Sequence, residues 1–237
     1  MLRAALPMYD PPELRSETDA QWAKIAALRP DDTEISFERP QTHADILDLL
    51  ADPNLFLSQT CWGPLSLNLL PDVEVIAQPD FSNFTGGIGP HYRSVILATG
   101  AGTDRSAPTD MAADVPELAS AEMTLAFNER ASMSGYLCLE RDLPTRFNAE
   151  IETGGHRESL RAVADGRADI AAVDCRTWAQ LQRIEPAATG VHVIGWTAAR
   201  TGLPYVCSPS LPQSLKNAVR AALITTGAFA PSDAPVL

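Results

Sequence analysis

Twice along this chain, short runs rich in β-branched and apolar residues alternate with stretches whose apolar residues recur every three or four positions. A segment rich in Gly, Thr, Asp and Pro, residues 100–110, separates the two series. Alternation of strand and helix patterns is the signature of α/β architecture, in which helices pack on the faces of a mostly parallel sheet. At 237 residues the chain can form one large domain or two lobes, each with its own core.

In the first series, residues 3–8 read as a strand broken by Pro11-Pro12. From Glu13 onward, Leu14, Thr18, Trp22, Ile25 and Leu28 lay an apolar stripe on a helix. Residues 34–39 alternate as a strand, and Thr42 with Asp45 forms a capping-box start for a helix carrying Ile46, Leu49 and Leu50. Strands follow at 55–58, 73–77 and 93–99, with a glycine-rich loop at 86–90. In the second series, strands at 123–127, 149–153, 169–173 and 191–196 alternate with helices starting at Ser134, near His156 and before Trp178. A last strand at 205–207 and a helix from Pro212 close the chain, with a frayed Pro- and Ala-rich end beyond Phe229. The expected fold is α/β and two-lobed, with a ligand cleft between the lobes. Residues 1–98 plus 199–237 are expected to form lobe 1 and residues 99–198 lobe 2, with the 100–110 segment as crossover or hinge.

Composition narrows the function. The net charge of −12 argues against a broad basic surface, so neither nucleic acid nor anionic lipid is an expected partner. The longest apolar runs are too short to span a bilayer, so no membrane insertion is expected. Before Pro7 stand one basic and a few apolar residues, too few for a secretory signal core; the chain reads as cytoplasmic as written, and periplasmic if a signal sequence is missing from it. Cys61, Cys138, Cys175 and Cys207 lie far apart without a C-x-x-C pair, and His43, His91, His156 and His192 show no metal-ligand spacing. Neither metal nor cofactor is expected.

Three strand-to-helix turns carry candidate chemistry. In Ser132-Met133-Ser134-Gly135, small hydroxyl residues cap a helix start and glycine lets a ligand approach the backbone. In Gly154-Gly155-His156, an imidazole projects from a first helical turn, where it can donate to an oxyanion. In Ser58-Gln59-Thr60-Cys61, a hydroxyl stands at the apex. Each is equally compatible with an ordinary cap. Asp174 ends a strand, where it can accept from a protonated ligand oxygen or an amine, or simply cap the helix that follows. Arg93 and Arg157 are cations that could assist an anion or remain solvated.

YRSV at 92–95, the Ser-x-Ser-Gly turn and ETGGHRESLRAVADGRADIAAVD at 152–174 together resemble the phosphate/phosphite/phosphonate-binding proteins of ABC importers. The resemblance covers nearly the whole chain and is nearest to a compact branch with a PMYD-like first strand and an SQTC turn. It implies the type 2 periplasmic-binding-protein fold and a solute-binding protein that closes on a small oxyanion, with an ABC transporter permease as partner. The ligand-binding residues it implies are Ser132, Met133, Ser134, Gly135, His156 and Asp174, joined by Tyr9, Thr60 and Tyr92. The family's middle threonine of the serine turn is Met133 here, which removes a hydroxyl donor. Two alternatives stand beside this. One is an enzyme using Cys61 at a helix start with His156 as base; the other is an intracellular ligand sensor of the same fold.

Overall fold

The computed structural model describes residues 1–30, 33–100, 102–116, 122–143 and 146–231. In chain order the elements are β1 (Leu2–Ala4), α1 (Arg15–Ala26), β2 (Ile35–Phe37), α2 (His43–Ala51), β3 (Leu55–Gln59), α3 (Trp62–Ser66) and β4 (Glu74–Ala77). There follow β5 (His91–Tyr92), β6 (Ser94–Ala98), β7 (Thr124–Phe127), α4 (Cys138–Asp142), β8 (Ala149–Glu152), α5 (His156–Ala164) and β9 (Ile170–Asp174). The chain ends with α6 (Cys175–Ile184), β10 (His192–Trp196), β11 (Arg200–Thr201), β12 (Tyr205–Cys207) and α7 (Gln213–Thr225). No helix among the described residues is long and apolar enough to cross a membrane.

The chain forms two compact units, Met1–Asp80 with Thr201–Leu237, and Phe81–Arg200. This division differs from the expected one at the first boundary, because β6 belongs wholly to the second sheet, paired with β9 and β10. The 100–110 segment likewise belongs to the second unit. Arg105 donates its backbone N–H to the Val193 carbonyl, and the Asp104 carboxylate accepts from Val193 N, so the described part of the segment runs along β10. The expected crossover there is displaced to the two points where the units divide, after Asp80 and after Arg200.

Each unit holds a five-stranded sheet of the same plan. The first has the order β2-β1-β3-β12-β4, in which β1 runs parallel to β2 and β3, and β12 runs antiparallel to β3 and β4. The second has the order β8-β7-β9-β6-β10, with β7 parallel to β8 and β9, and β6 antiparallel to β9 and β10. Helices cover both faces of each sheet, so the central strands are buried throughout, as the unbroken apolar run of β9 requires. Strand alternation sorts the side chains. Leu125, Phe127, Ile170 and Ala172 pack under Tyr136, Leu139 and Leu143, whereas Ala126 and Ala171 face Ala162 and Val163 of α5. In the first unit, Phe56, Ile76 and Tyr205 pack under Val219 and Leu223 of α7, and Leu55 and Val206 under Leu49 and Leu50 of α2.

Local chemistry sets the element ends. The first strand is shorter than its apolar run because Pro7, without an N–H, opens a 3-10 turn at Pro7–Tyr9. The capping box at α2 forms as expected: Thr42 Oγ1 accepts from Asp45 N, and the Asp45 carboxylate accepts from Thr42 N at 2.9 Å. Helix α1 stops at Ala26, so Leu28 leaves the stripe and is 45% exposed, while Trp22 stacks on Phe37 at 4.9 Å. Helix α5 ends at Ala164, where Gly166 at φ +71° lets Gly166 N and Arg167 N turn back to the Val163 and Ala162 carbonyls. The end expected to fray beyond Phe229 lies mostly outside the described residues; Phe229 itself exchanges two backbone hydrogen bonds with Gln78 at the edge of β4.

Phe56 is 1% exposed within the core of the first unit. Phe56→Ala is expected to lower unfolding free energy by about 3–5 kcal/mol, measured as a lower urea midpoint with unchanged far-UV circular dichroism. A loss below about 1 kcal/mol would contradict this packing.

Candidate functional site

In the second unit, β8, β7 and β9 lie side by side and parallel, so their C-terminal ends share one edge of the sheet. Open α/β sheets place ligands at that edge. Each of the three strands delivers one element of the site. β7 leads through Asn128 into the serine turn, β8 through a glycine turn to His156, and β9 ends on Asp174.

The serine turn begins a wide π-type turn, Met133–Leu137, that runs into α4. Ser132 Oγ accepts from Gly135 N at 3.1 Å, and the Ser132 carbonyl accepts from both Tyr136 N and Leu137 N at 3.2 and 3.0 Å. The Ser134 carbonyl accepts from Ser94 Oγ at 2.8 Å and from the Cys138 thiol at 3.1 Å. These bonds leave the Ser134 hydroxyl to reach across to His156. A Cβ on Gly135 would stand 2.0 Å from Asn128 Oδ1 and 3.2 Å from His156 Cε1, so only glycine fits beneath the imidazole.

The glycine turn places His156. Gly154 adopts φ +82°, its N–H donates to the Asn128 carbonyl at 2.9 Å, and Thr153 N donates to the Phe127 carbonyl at 2.8 Å. Thr153 Oγ1 and Ser159 Oγ lie 2.7 Å apart and lock the turn to the start of α5. His156 then stands on the first turn with 14% of its side chain exposed. Its Nε2 lies 2.9 Å from Ser134 Oγ and 3.7 Å from Asp174 Oδ2. Asp174 caps the following helix, one of the two roles its position suggested: Oδ1 accepts from Thr177 N at 2.9 Å, while Oδ2 lies 3.7 Å from the imidazole Nε2.

Burial pushes the His156 pKa down, against the opposing attraction of the Asp174 carboxylate and the Ala172 carbonyl, although Nδ1 has no partner within hydrogen-bonding geometry. The imidazole is therefore neutral at pH 7. Ser134, His156 and Asp174 do not make a hydrolytic triad. Hydroxyl and carboxylate both approach Nε2, whereas a relay requires the carboxylate on the opposite nitrogen. The buried thiols are unreactive as well, with Cys138 and Cys175 pushed up to about 12 and Cys207 to about 11 by burial.

The structure thus brings together Ser132, Ser134, Gly135, His156 and Asp174 of the expected set. Met133 is 1% exposed and offers the site no hydroxyl. Tyr92 is buried with its ring 5.6 Å from that of Phe81. Tyr9 and Thr60 belong to the first unit, both buried, and Thr60 N donates to the Pro204 carbonyl at 3.2 Å. Cys61 is also in the first unit, at the start of α3, whereas His156 is in the second. Sequence reasoning missed Ser94 and Asn128. Ser94 stands in the quoted YRSV motif, but its bond to the Ser134 carbonyl follows only from the antiparallel pairing that sets it opposite Asp174.

The model of the family described as "ABC transporter, phosphonate, periplasmic substrate-binding protein" matches residues 64–237. No curated protein sequence matches the chain. Among solved structures, a binding-protein component of an ABC phosphonate transporter from Pseudomonas aeruginosa superposes with TM-score 0.69 at 17% identity, over 98% of this chain and 82% of that one. PhnD1 from Prochlorococcus marinus, in complex with methylphosphonate, gives 0.65 at 13% identity over 94% and 83%. A Xanthomonas citri protein bound to ATP gives 0.62 at 13% identity over 98% and 91%. These likenesses show a shared two-lobed periplasmic-binding fold.

The His156 environment has a consequence for stability. A histidine whose folded pKa lies below its unfolded value of about 6.5 binds its proton in the unfolded chain first. Its contribution is therefore fully present above about pH 6.5 and is lost as pH falls toward the depressed folded value. Unfolding free energy of the wild type is expected to fall more between pH 7 and pH 5 than that of His156→Gln, read from urea titrations across that range. Equal pH slopes would refute a depressed imidazole.

Proposed function

This chain belongs to the family of periplasmic substrate-binding proteins of phosphonate ABC transporters, and on that footing we propose that it captures a small oxyanion of the phosphate, phosphite or phosphonate class as the substrate-binding component of an importer. A periplasmic location and a permease partner are part of the same proposal. The observation that carries it is the convergence of Ser134 and His156, 2.9 Å apart, with Ser132 Oγ 3.5 Å from Ser134 Oγ. Hydroxyl and imidazole N–H donors at strand ends suit a tetrahedral oxyanion.

Asp174 Oδ2 beside the imidazole adds a preference. A fully deprotonated anion meets a like charge there, whereas a ligand bearing an O–H gives the carboxylate a donor. Partly protonated phosphonate or phosphate is thereby favoured over sulfate. The enzyme alternative has less support: the family is one of substrate-binding proteins, and the imidazole is engaged with Ser134 and Asp174. Cys61→Ser is accordingly expected to leave ligand affinity unchanged.

Methylphosphonate, the ligand held by the similar Prochlorococcus marinus protein, is the first probe. It is expected to raise the melting temperature of the wild type, and sulfate to do so less. Ser134→Ala is expected to weaken calorimetric affinity by roughly ten- to a hundredfold, the worth of one hydrogen bond to a charged group. Absence of a thermal shift with methylphosphonate, phosphite and phosphate alike would overturn the proposal.

A further inference from the structure

Most arginines in the described residues are matched to carboxylates. Arg200, with 10% of its side chain exposed, binds Asp142 through both arms at 2.6 and 2.9 Å. Arg3 pairs with Glu38 and Asp52, Arg39 with Asp10 and Asp19, and Arg161 with Glu185. Arg93 breaks the pattern. It is fully buried at 0% exposure, and no carboxylate among the described residues lies within salt-bridge distance of it. Its Nη1 donates to the Gly86 carbonyl at a long 3.3 Å, while Nε and Nη2 are buried with no partner. An arginine cannot shed its charge to escape such a site. A buried guanidinium with unmet donors is costly unless an anion completes it.

Its backbone stands beside the serine–histidine–aspartate cluster. Strand β6 runs antiparallel to β9, so its N-terminal end arrives at the same sheet edge as Asp174. The Arg93 carbonyl accepts from Cys175 N at 2.9 Å, and the next residue, Ser94, pairs opposite Asp174 and bonds the Ser134 carbonyl. The 84–86 loop that receives the guanidinium also meets the first turn of α6, where Arg176 lies 5.7 Å over the Phe84 ring and Asp174 is the N-cap. Burial lowers the Arg93 pKa, with only the more distant attractions of Asp110 and Cys175 opposing it. The cluster itself supplies no fixed cation, since His156 is neutral and Asp174 is acidic.

We propose that Arg93 is the charge partner of the bound oxyanion, a guanidinium kept buried and uncompensated in the free protein until the ligand's oxygens pair with Nε and Nη2. This rests on the oxyanion-binding reading above and adds a residue to it. Two adjacent N–H donors form one side of a guanidinium fork, the geometry that grips a phosphonate or phosphate through two oxygens.

The test compares wild type, Arg93→Met and Arg93→Lys by thermal unfolding without ligand and by calorimetry with methylphosphonate and inorganic phosphate. For Arg93→Met, the ligand-free melting temperature is expected to be unchanged or raised, because a buried unpaired charge is removed. Its affinity is expected to fall by at least about tenfold, with a weaker dependence on salt. Arg93→Lys keeps the charge without the fork, folds if the methionine variant does not, and is expected to bind several-fold more weakly than wild type. Affinity within about twofold of wild type in whichever variant folds would overturn the assignment. If that result came with a lower ligand-free melting temperature, Arg93 would be a clamp on the Gly86 loop. Failure of the wild type to bind either probe would overturn the oxyanion reading itself, and this inference with it.

Discussion

The site depends on the register of three parallel strands. β8, β7 and β9 are hydrogen-bonded neighbours running the same way, so the turns that follow them emerge side by side at one edge of the second sheet. A hydroxyl and a carboxylate, 22 and 18 residues from the histidine in the chain, come within 4 Å of its imidazole because the ladder leaves them no other place. The register is in turn enforced by packing. Leu125, Phe127, Ile170 and Ala172 must face α4 while Ala126 and Ala171 face α5, and a one-residue slip would bury the wrong set.

That scaffold sets an electrostatic problem. The exterior is acidic, with a net charge of −12, and the cluster contains a buried carboxylate. On the function proposed above, an anion on such a background would be held by local donors: hydroxyls, an imidazole and, on the further inference, a guanidinium with unmet N–H groups. Arg200 is held by two bonds to Asp142, whereas Arg93 has one long bond to a carbonyl, and this contrast is what the inference above rests on.

Much of the fold could be read from pattern because it rests on local rules. The capping box at Thr42 and Asp45, the buried run of β9 and the glycine turn before His156 are all short-range signals that the structure repeats. Misplacements occurred where a local signal was ambiguous or a distant partner decided. A Gly- and Pro-rich stretch looks the same whether it joins two units or lies along a strand edge, and hydrogen bonds to Val193 put residues 104–105 on β10. Strand β6 reads equally well as the end of the first series or the start of the second; its pairing with β9 and β10 assigns it to the second.

By itself the sequence determined the α/β class, the element order, the acidic net charge and the identity of the turns that carry hydroxyl and imidazole groups. Those properties follow from periodicity, composition and the backbone demands of Gly, Ser and Asp over a few residues. Only the tertiary structure decided that Ser134 and Asp174 approach one imidazole nitrogen, that Ser94 braces the serine turn, and that Arg93 is buried with Nε and Nη2 unmet among the described residues. Each of these depends on which strands pair and which face a side chain takes, a non-local outcome that no short stretch of sequence specifies.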